Sequence, residues 1–179
     1  MDHATVIDCT AHWLRAAVIG LNLCPFAKAV HARGQIRWVV SDATDEDALR
    51  QDLVHELRVL AAADPTQIDT TLLVHPQVLA GFDDYNQFLD VADAALHSLS
   101  LDGVLQIASF HPQYRFEGTE ADDIANATNR SPFPTLHLLR EASIERAVAS
   151  TPDAADIYER NIATLERLGA AGWARLMRP

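Results

Sequence analysis

The triplet His-Pro-Gln occurs twice, as His75-Pro76-Gln77 and as His111-Pro112-Gln113, each time directly after a short apolar run. Imidazole is the side chain whose ordinary pKa suits acid–base work near neutral pH, and it is also a common metal ligand. A proline after each histidine ends a β-ladder and restricts the histidine to extended backbone. Each ring is therefore expected to sit at a strand end. In parallel α/β sheets ligands bind at the carboxyl ends of strands. A repeated pair there is expected to act, as general acid or base or as ligands. The alternative is that each histidine only satisfies loop carbonyls.

Cys24, in "NLCPFAK", precedes Pro25, which suits the first position of a helix. Cys24 is then expected as the N-cap, where backbone N–H groups favour a thiolate. The stretch resembles the Cys-Pro-aromatic turn of glutaredoxin-like proteins, but Ala27 stands where a second cysteine would be and the preceding segment reads as helical. A small residue buried in a tight turn is the other reading of Cys24. Arg115, in "QYRFEG", is an anion receptor able to grip a carboxylate or phosphate with two parallel bonds, unless it only pairs with Glu117. Asn129 and Arg130, ahead of two prolines, are expected in a loop covering the site, or Asn129 simply ends a helix there. Together Cys24, His75 and His111 allow two pictures. One is a zinc-like divalent metal site with an open position. The other is a cysteine nucleophile activated by an imidazole. No C-x-x-C, H-E-x-x-H, P-loop or G-x-G-x-x-G accompanies them.

These residues need elements to hold them. Residues 5–19 place Val6, Cys9, Trp13, Ala17 and Val18 at helical spacing. Residues 36–41, 70–75 and 104–110 read as strands, short and almost continuously apolar, as when both faces of a sheet are covered. Between them lie two long helices. In the first, Leu49, Leu53, Leu57 and Leu60 share a face; the second spans 82–99. Crossovers that carry helices imply parallel strands. A small, mostly parallel α/β sheet of three or four strands in one domain, 1–179, is expected, the fourth strand being "TLHLL" if it is not helical. Between the third strand and that stretch, Thr119 and Asp122 match a capping box. The last helix is expected to start at Thr151-Pro152, to end at Gly169 and to bury Ile157, Ile162, Leu165 and Leu168.

Charge limits the partners. Fourteen basic against twenty-five acidic side chains leave a formal charge of −11, which repels nucleic-acid backbones and anionic membranes. No apolar run is long enough to cross a bilayer, and the opening residues lack the basic start of a signal peptide. With only two cysteines and no disulfide framework, a cytoplasmic protein is expected, and two N-x-[ST] matches are taken as chance.

The stretches "GLNLCPFAKAV", "LLVHPQVL", "FDDYNQFLD", "SFHPQYRFEG" and "NRSPFPTLHLLREASIERAV" together resemble a bacterial domain-of-unknown-function family, numbered fourteen-fifteen. The resemblance runs from about Cys24 through Val148 and implies a bacterial, cytoplasmic single-domain protein. It carries no activity, cofactor or site residue.

The expected function is an enzyme acting on a small anionic molecule at the carboxyl edge of the sheet. His75 or His111 would be the acid or base, Arg115 the anion anchor, and a metal an optional assistant. The competing expectation is a non-catalytic small-ligand or protein-interaction module. An enzyme should show both rings converging on a pocket, and an interaction module an exposed apolar patch from Trp173 and the last helix.

Overall fold

A computed structural model describes residues 1–150 and 156–178. Helix α1 (His3–Trp13) is capped by Asp2, whose carboxylate accepts the Thr5 N–H, and runs on as a π-helical segment over Leu14–Ile19. At its end the Gly20 N–H reaches the Arg15 carbonyl at 3.0 Å, and a Cβ on Gly20 would lie 2.3 Å from the Ala16 carbonyl oxygen, so only glycine fits. The short α2 (Ala27–Ala32) leads into β1 (Ile36–Val40). Then follow α3 (Glu46–Ala62), β2 (Thr70–Val74), α4 (Phe82–Ser98) and β3 (Leu105–Phe110). A 24-residue stretch, 111–134, with a 3-10 turn at Ile124–Asn129, returns the chain to β4 (Thr135–Arg140). Helices α5 (Glu141–Ala149) and α6 (Ile157–Leu176) complete it.

The sheet is mixed, in the order β1-β2-β4-β3, which corrects the mostly parallel sheet expected from the helical crossovers. β1 and β2 pair in parallel around α3, as expected. β3 also runs parallel to β2, but β4 lies between them, antiparallel to both. The reason is in the connections. α4 provides a face-crossing link from β2 to β3, whereas 111–134 carries no long helix, so the chain turns back at the same edge and pairs antiparallel. "TLHLL" supplies what a central strand needs: Leu136 and Leu138 on one face, fully buried, and His137 on the other.

The face carrying Leu73, Leu136 and Leu138 packs against α3 and α4. Leu49, Leu53, Leu57 and Leu60 are all fully buried there, with Tyr85, Phe88 and Ala92 from α4. Burying each leucine contributes about 2 kcal/mol. Arg140 ties sheet to helix: its guanidinium donates to the carbonyls of Leu60 (2.6 Å), Ala63 (2.7 Å) and Ile68 (3.1 Å), satisfying the orphan carboxyl end of α3. On the other face Trp13, Leu14, Ala17 and Val18 cover Ile36, Trp38 and Phe110, with Trp13 and Phe110 edge to face at 5.2 Å.

Three local expectations change. Phe26, not Cys24, precedes the first helical residue of α2. The Thr119/Asp122 box does not form, because the Thr119 hydroxyl serves Phe116 and Asn126 and the 3-10 turn is capped by Asp123 instead. Gly169 does not end α6. It breaks it with a left-handed φ of 67°, and the helix resumes to bury Gly172 and to bring Trp173 onto the α1 cluster. Of the expected apolar face only Leu165 is fully buried. The expected start at Thr151-Pro152 lies outside the described residues.

Candidate functional site

Because β2 and β3 point the same way, His75 and His111 leave the same edge of the sheet even though their strands are not neighbours. The His75 N–H continues the ladder by donating to the Pro134 carbonyl (3.0 Å), whereas the His111 N–H donates to the Asn129 carbonyl at the end of the 3-10 turn (3.1 Å). Both residues are completely buried. Between the rings stands Tyr85 of α4, with its ring centroid 5.7 Å from His75 and 5.0 Å from His111. Phe82, one turn earlier, packs on His111 (5.5 Å) and on Tyr114 (5.1 Å). The Tyr85 hydroxyl accepts the Phe110 N–H (3.1 Å) and donates to the Thr135 carbonyl (2.9 Å). Phe110 and Thr135 are paired residues at the open end of the β3–β4 ladder, so this hydroxyl is inserted where the ladder would close on itself. Burial pushes the phenol far up, and Tyr85 stays neutral.

The imidazoles grip one short segment. His75 Nδ1 lies 3.1 Å from the Val78 carbonyl and His111 Nε2 lies 3.1 Å from the Leu79 carbonyl. A carbonyl only accepts, so each of these nitrogens carries the proton. His111 Nδ1 in turn accepts the Gln113 N–H at 3.0 Å. Thus His111 is fully satisfied. His75 keeps one buried lone pair, at Nε2, that finds no partner among the described residues. Burial pushes His75 down to about 4, assisted by the neighbouring His111, and burial also lowers His111. Both rings are neutral at pH 7. The segment they hold contains Leu79, whose φ of 58° puts a bulky side chain in the left-handed region, at a cost of about 1–2 kcal/mol.

On the far side of that segment the carboxyl edge opens into a groove of about 930 Å³. Its walls are the first turns of α3 and α4 and the stretch 78–81, and four carboxylates line it: Asp45, Glu46, Asp47 and Asp84. Asp45 doubles as the cap of α3, accepting the Ala48 N–H at 2.9 Å. The lining includes no lysine, arginine or histidine among the described residues. Sequence reasoning missed Tyr85, Phe82 and this groove. The signal for the groove lay in Asp45 and Gly81, helix-start residues one short loop beyond a strand end.

The remaining expected site residues are partly gathered. Asn129 joins the end of β3 through its amide, which donates to the Ser109 carbonyl (3.0 Å), and it does end the 3-10 turn. Arg130 is spent on the carbonyls of Ala121 (2.6 Å) and Tyr114 (3.4 Å), so it braces the 111–134 stretch and is no free anion receptor. The buried Asn126 completes that brace with bonds to Phe116, Thr119 and Glu120. Arg115 is half-exposed and approaches Asp83 at 3.9 Å, not Glu117. Cys24 packs with Trp13 and Ile36 in the α1 cluster, apart from the histidine pair. Burial raises its thiol, outweighing the Phe26 and Ala27 N–H groups that face it, which is the opposite of an activated nucleophile. His137 lies in β4 with its Nε2 2.6 Å from the Thr70 hydroxyl, and burial holds it down to about 4. Among the described residues no group of three or more His, Cys, Asp or Glu side chains is placed to hold a metal ion, so the proposed Cys24–His75–His111 ligand set does not assemble. Trp173 is packed, and of the large apolar side chains that stand exposed among the described residues, Met1, Val104, Val148 and Tyr158, only Tyr158 belongs to the last helix. Among them, too, no helix is long and apolar enough to cross a membrane.

No curated protein and no solved structure matches this chain. A family model does match, over residues 5–175, in agreement with the motifs that flank Cys24 and the two His-Pro-Gln triplets. The chain belongs to the family described as protein of unknown function, DUF1415.

Proposed function

We propose that the protein is a small-ligand-binding domain whose site is the groove at the carboxyl edge, with His75 and His111 building its wall. One observation carries this reading: the segment 78–81 that lines the groove is the one whose carbonyls both imidazoles hold. Its position supports the reading, since open α/β sheets bind ligands outside the carboxyl ends of their strands. It is a wide-mouthed groove with a mostly polar lining, suited to a small polar ligand. Its charge favours a cation, such as a small amine, over the anion expected from Arg115. The acidic composition and the two free cysteines are in keeping with a reducing, cytoplasmic setting.

An acid–base enzyme is the second reading, and the unpaired Nε2 of His75 favours it. An imidazole lone pair left without a donor is the one group in the cluster with capacity to spare. The test is calorimetric titration with a panel of small amines, dicarboxylates and phosphates. The proposal expects amines to bind, and Asp84→Asn with Glu46→Gln to weaken them at least tenfold. Binding of anions only, unaffected by those changes, would overturn it. Turnover of any panel member, abolished in His75→Gln, would favour the enzyme.

A further inference from the structure

The clasp that holds the groove wall has no room for another proton. His111 uses Nε2–H on the Leu79 carbonyl and the Nδ1 lone pair on the Gln113 N–H. A proton added at Nδ1 would face an N–H donor. A proton added at His75 Nε2 would be a buried charge with no acceptor. Among the described residues the titratable groups facing the pair are Tyr85 from α4 and each imidazole for the other, with Tyr114 from the stretch after β3 lying behind Phe82. β4 presents Thr135 and Leu136 there, neither titratable. The carboxylates lie outside the stack: Asp84 lines the groove with Asp45, Glu46 and Asp47 of α3, and Asp83 faces Arg115 on the rim. Among the described residues no carboxylate pairs with either ring, so a charged imidazole gains a solvation shell only by leaving the stack.

We propose that His111 and His75 form an acid-released latch on the groove, in which proton uptake at His111 Nδ1 breaks its bond to Gln113, and the charged ring, drawn toward water, lets go of the Leu79 carbonyl and frees the 76–81 segment to relax. The relaxation has a stored driving force in the left-handed Leu79, whose conformation persists while its carbonyl is held. The regulatory meaning, loss of groove binding in acid, rests on the groove being the ligand site. The latch itself does not.

The experiment is an NMR titration of the ligand-free full chain from pH 7.5 to 4.5, following the histidine ring nitrogens and the backbone amides of Leu79, Gln113 and Leu53. The expected result is that the Leu79 and Gln113 amides shift together with the His111 ring while Leu53 stays in place. In His111→Gln, which keeps a donor and an acceptor but cannot titrate, the coupled shift is lost. Two results would overturn the latch: amides that stay put until Leu53 collapses with them, or the same shift in His111→Gln. Because no ligand is present, failure here leaves the groove reading standing. Failure of the amine titration at pH 7.5 leaves the latch standing.

Discussion

The His-Pro-Gln after β2 and the one after β3 are the same three residues holding the same six-residue segment, yet they hold it differently. His75 donates from Nδ1 to Val78, three residues along its own loop. His111 donates from Nε2 across to Leu79, and its Nδ1 closes its own turn on Gln113. One copy is a local turn brace with a nitrogen to spare. The other is a two-ended bridge between loops with none. A repeated motif thus need not mean a repeated role: the two copies sit on strands separated by β4, and a different ring nitrogen meets a carbonyl in each.

The contrast can be broken by substitution. His111→Ala should be the most damaging single change, at about 3–4 kcal/mol in urea unfolding, because it empties a fully buried site and orphans both the Leu79 carbonyl and the Gln113 N–H. Tyr85→Phe should cost about 2 kcal/mol, since the Phe110 N–H and Thr135 carbonyl lose the hydroxyl between them while the ring stack survives. His75→Phe should cost about 1 kcal/mol or less, because the lost bond to Val78 is offset by removal of an unpaired buried nitrogen. If His75→Phe proves as damaging as His111→Ala, the two copies are equivalent after all.

Acid sharpens the same contrast. His75 and His137 have folded pKa values near 4, below the unfolded value of 6.5, so the unfolded chain takes up protons first. Stability from keeping them neutral is complete above pH 6.5 and is lost as pH falls toward 4, on the order of 2 kcal/mol per group by pH 5. Urea midpoints at pH 7 and pH 5 should show this drop, and His137→Phe should remove part of it. A flat profile would mean that the rings are not held neutral.

The sequence marks the two imidazoles and the edge they share because apolar runs and prolines are local signals. Leu49, Leu53, Leu57 and Leu60 are equally legible, as a helical stripe. The return of β4 between β2 and β3 is not, since a long connection can close on either neighbour and "TLHLL" reads as strand or helix. Nor is the burial of Cys24 or the engagement of Arg130 by carbonyls, which depend on what the fold brings beside them. Tyr85 lay hidden in a helix pattern, and its meaning appears only once the hydroxyl is seen between two strands.

The most direct test of the central claim, that both histidines are neutral wall-builders, is the tautomer of each ring in the folded chain at pH 7, read from two- and three-bond ¹⁵N–¹H correlations. The account predicts His75 protonated at Nδ1 and His111 at Nε2, opposite tautomers from identical triplets. Two rings in the same tautomer, or either ring charged at that pH, would contradict it.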